Sequence, residues 1–197
     1  MEAGAVPSND PSAPRPPAAD ADWRIPVPIE TARTRLRFHT TADDLDLLRF
    51  HSDAEVTRYL PWPVRDLTAV RATLQDKIKQ THLSADGAWL SLAVEHRATG
   101  RVIGEALVRR TEAVTGIAEI GYAFARDVHG QGYGTEVVET LFEVARRALP
   151  LRQVVAHVEA ANDPSRRLLT RLGFELTGSV DGQAPSSLLV YGLVTSS

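Results

Sequence analysis

Residues 118–136 read AEIGYAFARDVHGQGYGTE and restrict the possible folds more than any other stretch of the chain. A strand-like run, AEIGYAFA, meets three glycines at alternate positions, Gly130, Gly132 and Gly134. A long amphipathic helix begins at once. Glycine lets a backbone approach a ligand closely and turn its N–H groups toward it. The first N–H groups of a helix lack internal partners and lie at the positive end of its dipole. Strand, glycine turn and helix start together form a device for holding phosphate, and a pyrophosphate ligand is the expectation.

Two common phosphate fingerprints do not fit. The dinucleotide motif needs G-x-G-x-x-G, whereas the spacing here is G-x-G-x-G. The P-loop needs Lys before Ser or Thr after its last glycine, but Thr135 and Glu136 follow Gly134 directly. A glycine-rich hairpin without a ligand is the plain alternative.

A second motif lies about thirty residues on, NDPSRRLLTRLGFE at 162–175. Asn162 or Asp163 can cap a helix, and Pro164 suits its first position. Leu168, Leu169 and Leu172 form an apolar stripe at helical spacing, and Gly173 suits the C-terminal cap.

The two motifs, in this order, resemble the GNAT N-acetyltransferases. His129, Gly132 and Gly134 take the places of the [QR]-x-x-G-x-G/A motif. The departure at His129 is shared with the RimJ/RimL-like branch, which GYAFARDVHGQGYGTE resembles nearly position for position. Asn162 and Ser165 match the N-x-x-S-x-x-[LV]-x-x-x-G-F element. The resemblance runs from about residue 33 to residue 193. It implies acetyl-CoA as cosubstrate, held by Phe124, Ala125, Arg126, His129, Gly130, Gln131, Gly132, Tyr133, Gly134, Thr135, Asn162 and Ser165. It further implies that Asn162 meets the pantetheine arm and that Ser165 lies near the thioester sulfur. Arg126, and Arg166 or Arg167, are candidates for the phosphates; a solvated face is the alternative for all three.

The reaction implied is acetyl transfer to a primary amine, by direct attack in a ternary complex. A Lys side chain titrates near 10.4 and an α-amino group near 7.7–8.0, so the amine needs a base. The resemblance points to Glu119, on the strand before the glycine turn. Glu105 on the neighbouring strand is the rival, and Glu136 in the first helical turn suits the dipole instead. Ser165 is the expected proton donor to the leaving thiolate, with Tyr191 second. Trp62, between Pro61 and Pro63, is the expected acceptor-side residue; a Trp folded onto its own core is the alternative. Arg33, Arg35, Arg37 and Arg58 could favour an acidic acceptor, a preference that the chain as a whole does not show. A regulatory module that binds coenzyme A without turnover is the competing function.

Composition narrows the classes. With no cysteine among 197 residues, a disulfide scaffold, a thiol nucleophile and a Cys-based metal site are excluded. The six histidines show no metal spacing, so no metal is expected. A net charge of −3 supplies no general field for nucleic acid or anionic membrane. No apolar run approaches a membrane span and no secretory pattern opens the chain, so a cytoplasmic location is the expectation. A homodimer is implied at family level only.

Residues 1–30 hold seven of the twelve prolines and read as a disordered extension ending near Pro28. The alternative is an arm that reaches a partner subunit through Trp23 and Ile25. Residues 31–197 read as one α+β domain of the GNAT type, in three α/β/α layers. Strands are expected at 33–39, 89–95, 102–109, 118–125, 153–158, 174–178 and 187–194. Helices fall after 41, 64, 135 and 162. The resemblance makes these a mostly antiparallel seven-stranded sheet, splayed between the strands near 118–125 and 152–158.

Overall fold

The computed structural model describes residues 23–180 and 188–195. Its elements are β1 (Ile29–Glu30), β2 (Thr34–Phe38), α1 (Asp44–His51), α2 (Ala54–Thr57), α3 (Leu67–Lys79), β3 (Trp89–His96), β4 (Val102–Glu112) and β5 (Ile117–Phe124). They continue with α4 (Tyr133–Ala148), β6 (Gln153–Glu159), α5 (Asp163–Arg171), β7 (Glu175–Val180) and β8 (Leu188–Val194). One sheet of eight strands runs β1-β2-β3-β4-β5-β6-β8-β7. Among the described residues only the β5–β6 pairing is parallel; the others are antiparallel.

The sheet has one strand more than the seven expected. The addition, β1, is two residues long and pairs with β2, too short to leave a periodic signal. Residues 23–30, assigned from the sequence to the extension, fall within the described residues. Trp23, Ile25 and Ile29 are buried, and Trp23 exchanges backbone hydrogen bonds with Leu83. The Arg110 guanidinium lies 5.2 Å from the Trp23 ring centre. Trp23 and Ile25 therefore pack into this chain's own core. The rest of the expected extension, residues 1–22, lies outside the described residues.

Each face of the sheet is covered by helices. Leu92, Val108, Ile120 and Val154 pack with Val137, Val138, Leu141 of α4 and Leu169 of α5. On the other face Ala93, Ala123 and Ala125 pack under Leu47 and Phe50 of α1, Val56 of α2 and Val70 and Leu74 of α3. Full burial of such side chains stabilises by about 1.5–3 kcal/mol each. Asp66 caps α3 by accepting the Ala69 N–H, 2.8 Å away.

The parallel pairing decides where a site can form. Ile117, Ala118 and Glu119 of β5 pair with Gln153, Val154 and Val155 of β6, and the register stops there. Beyond Glu119 and Val155 the strands separate into a fork, with β4 holding the outer edge of β5 up to Phe124. The fork leaves unpaired backbone facing a gap, which a ligand with amide groups can fill.

Candidate active site

The glycine turn closes the open end of the fork. After β5 a 3-10 turn, Arg126–Val128, reverses the chain. His129 Nε2 lies 2.9 Å from the Phe124 carbonyl oxygen, which only accepts, so Nε2 carries the proton. Gly130 and Gly132 hold φ of +71° and +82°, where a side chain is strained. Gly132 is the residue from which α4 departs. Gly134 lets α5 pack close: a Cβ there would lie 2.8 Å from Leu168 Cδ1 and push that side chain aside. Arg33 braces the turn. Its guanidinium donates to the Gln131 carbonyl at 2.9 Å, pairs with Glu136 at 2.7 Å, and lies 4.1 Å from the Tyr133 ring centre. Burial pushes the Glu136 carboxyl up, but the Thr31 hydroxyl and Arg33 outweigh it and hold it below its ordinary value.

A cavity of about 770 Å³ fills the fork and crosses the sheet. On the α4–α5 side its wall is Gly130, Gly132, Tyr133, Gly134, Thr135, Asn162, Ser165, Leu168 and Arg171; on the other it is Glu55, Val56, Tyr59 and Leu60. Tyr122, Ala123 and Phe124 of β5 lie between. His129 lines it too, and Arg126, Arg167 and Arg171 make a cationic rim beside the helix start.

Asn162 Oδ1 accepts the Ser165 N–H at 3.2 Å and so caps α5, while both residues stay on the cavity wall. Ser165 Oγ is 2.8 Å from the Tyr122 hydroxyl, which bridges the fork from β5 to α5. Burial pushes the Tyr122 phenol up to about 12, and the Ser165 contact offsets only part of this. Tyr122 thus stays protonated at neutral pH.

The structure does not gather every expected residue at the cavity. Ala125 is buried beneath the α1–α3 layer, and Gln131 donates to the Asp127 carbonyl at 2.7 Å; neither lines the wall. Arg166 turns away toward the Tyr191 hydroxyl, 3.3 Å distant, and Asp163. Tyr191 is itself buried in β8, off the wall. Trp62 is held back by Arg65, whose guanidinium lies 4.9 Å from its ring centre, and by the His51 ring at 5.8 Å. Its loop neighbours Tyr59 and Leu60 line the cavity in its place.

Glu119 sits at the closed end of the fork, off the cavity wall. One carboxylate oxygen is 2.9 Å from His157 Nδ1 and the other 3.5 Å from Arg109 Nη1. Glu105 is fully buried, 2.8 Å from Lys77 Nζ and 3.3 Å from His51 Nε2. Burial alone would push its carboxyl up; Lys77 and His51 hold it well below the usual carboxylate range. Neither geometry presents a free proton acceptor to the cavity.

Tyr122, Tyr59, Leu60 and Glu55 were missed from the sequence. Tyr122 left a faint signal as the inward residue of GYAF. The other three lie on a four-residue helix and the turn after it, which carry no periodicity.

The family model for the acetyltransferase (GNAT) domain matches residues 33–175. The chain belongs to the GNAT acetyltransferase family. This GNAT protein is 32% identical over 151 residues to the uncharacterized N-acetyltransferase p20 of Bacillus licheniformis, covering 76% of this chain and 83% of that one. Its fold matches a GNAT-family acetyltransferase from Bacillus anthracis with a TM-score of 0.75, at 18% identity, over 85% of this chain and 98% of that one. It also matches RimL, the ribosomal L7/L12 α-N-protein acetyltransferase in complex with coenzyme A, with a TM-score of 0.70 at 19% identity, over 85% and 97% of the two chains.

The GNAT domain is an acetyl-CoA-dependent acetyltransferase, and the cavity fits that cosubstrate. The helix start at Gly132 to Thr135 and the arginine rim suit a pyrophosphate, and the open fork suits an arm of amides. When bound, acetyl-CoA supplies an acetyl group activated as a thioester. Among the described residues no group of His, Asp and Glu could hold a metal ion, and no helix is long and apolar enough to cross a membrane.

Proposed function

We propose that this protein transfers acetyl to a primary amine by direct attack in a ternary complex, within the RimJ/RimL-like branch. The acceptor is a protein N-terminal α-amine or a small-molecule amine, the α-amine needing less help to lose its proton at neutral pH. One observation carries the reading: the cavity spans both faces of the sheet, so the acceptor can enter beside α2 while the cosubstrate lies along α4 and α5. At the crossing stands the Tyr122–Ser165 hydroxyl pair. Backbone N–H groups where β5 leaves β6 stabilise negative charge on the carbonyl oxygen. The hydroxyl pair supplies a proton to the departing sulfur, with Ser165 nearer the reacting atoms and Tyr122 holding it in place. Asn162 orients the arm while capping α5.

The test is release of coenzyme A thiol from acetyl-CoA across a panel of acceptors: peptides with varied N-termini, lysine peptides, polyamines, aminoglycosides and amino acids. A hit identifies the acceptor class. Tight acetyl-CoA binding with no release from any acceptor would favour the non-catalytic, coenzyme-binding function.

A further inference from the structure

The reaction needs a group that receives the acceptor's proton, and the carboxylates near the fork are engaged. Glu119 is bonded to His157 and Arg109, Glu105 to Lys77 and His51, and Glu136 to Arg33 and Thr31. Asp53 pairs with Arg126 at 3.1 Å, and Asp127 with Arg49 at 2.5 Å. None of these five lines the cavity; Glu55 does, and it is the one carboxylate that does so among the described residues.

Glu55 is also well placed. It lies in the first turn of α2, whose N-terminus is capped by Asp53 Oδ1 accepting the Glu55 N–H at 2.9 Å. The other oxygen of Asp53 is the one that pairs with Arg126, at the foot of the glycine turn. Val56, the next residue, is buried and anchors the helix to the sheet. Two contacts therefore tie the helix bearing Glu55 to the cosubstrate loop and to the core, while its side chain stays exposed to solvent. The nearby cation Arg58 is stacked on Tyr59, 5.3 Å from its ring centre. Of the arginines that line the cavity, Arg126 is paired with Asp53, and Arg167 and Arg171 lie on α5.

Building on the acetyl-transfer reading above, we infer that Glu55 binds the acceptor as an ammonium ion and takes its first proton. The proton passes from Glu55 to bulk water, which reaches its exposed carboxylate. The freed lone pair forms the N–C bond with the acetyl carbonyl, and the C–S bond breaks with its electrons going to sulfur. The surplus proton on nitrogen replaces the one that the Tyr122–Ser165 pair gives to sulfur. The products are an acetamide, a thiol and one proton. The substrate class that follows is a cationic amine flanked by apolar or aromatic-compatible groups, which Val56, Tyr59 and Leu60 contact.

The experiment compares wild type, Glu55→Gln and Glu119→Gln with the first acceptor found in the panel. Glu55→Gln should lower kcat/KM for the amine about 10²-fold at pH 7, with acetyl-CoA affinity unchanged. The deficit should shrink to under about tenfold near pH 9.5, as more of the amine is neutral without help. A Glu55→Gln enzyme within about threefold of wild type at pH 7, a deficit that does not move with pH, or a loss borne by Glu119→Gln instead would each overturn the inference. Absence of transfer in wild type would count against the acetyl-transfer reading itself. The inference is then judged by titrating butyltrimethylammonium into the coenzyme A complex: loss of binding in Glu55→Gln supports it, and equal binding, or none in wild type, overturns it.

Discussion

The Tyr122 hydroxyl stands 2.8 Å from Ser165 Oγ and joins strand β5 to helix α5 across the open fork. The contact sets two hydroxyls at the place where the parallel pairing has just ended. Removing either should slow the chemical step more than binding. Tyr122→Phe and Ser165→Ala should each lower kcat about 10²-fold while acetyl-CoA affinity changes less than about threefold. Because the hydroxyls act as one unit, the double variant should lose little beyond the worse single one. Steady-state kinetics beside equilibrium titration of acetyl-CoA checks this.

The glycines of the turn should respond differently to the same change. Gly130 has open space around its Cβ position, so Gly130→Ala meets only the strain of φ +71°, on the order of 1 kcal/mol. Gly134→Val would set a Cβ 2.8 Å from Leu168 Cδ1, so the Leu168 side chain must turn aside and both side chains crowd the cavity wall. It should abolish measurable acetyl-CoA binding, as should Gly132→Val, where φ is +82° at the start of α4. Thermal unfolding with and without acetyl-CoA separates the cases: Gly130→Ala keeps a ligand-induced rise in Tm and the two valine variants do not.

His39 makes stability depend on pH. It is buried near Asp43, Glu105, Lys77 and Arg37, with no hydrogen-bond partner for either ring nitrogen among the described residues. Burial pushes its imidazole down to about 4, from an ordinary value of 6.5. The unfolded chain therefore binds the proton first as pH falls, so stability should drop between about pH 6.5 and pH 4, by up to about 3 kcal/mol. Urea unfolding of wild type and His39→Gln at pH 7.5 and pH 5 should show a smaller pH effect in the variant.

The buried Glu105–Lys77 pair should be costly to break and cheap to replace. Glu105→Gln leaves the Lys77 ammonium, at 2.8 Å in the wild type, without its counter-charge and should destabilise by about 3–5 kcal/mol. Glu105→Leu combined with Lys77→Met should recover most of that loss. Urea midpoints for the three proteins measure it.

The glycine cradle was legible because its geometry is local. Three glycines, a strand end and a helix start are adjacent in sequence, and Asn162 caps the helix that begins beside it. Periodicity likewise revealed α4, whose Val137, Val138, Leu141 and Ala145 are buried at helical spacing. Ser165 was legible in its own motif, but its pairing with Tyr122 was not. Tyr122 and Ser165 are 43 residues apart and meet only because β5 and β6 part company. Glu119 looked like a base in its strand, yet His157 and Arg109, brought to it by two neighbouring strands, occupy it. Trp62 looked exposed between two prolines, yet Arg65 and His51 hold it away from the cavity. By itself the sequence determined the backbone cradle and the family, since both rest on short-range spacing and dihedral preference. Only the tertiary structure decided which carboxylate stays free at the cavity, because ion pairing depends on side chains that approach across the sheet.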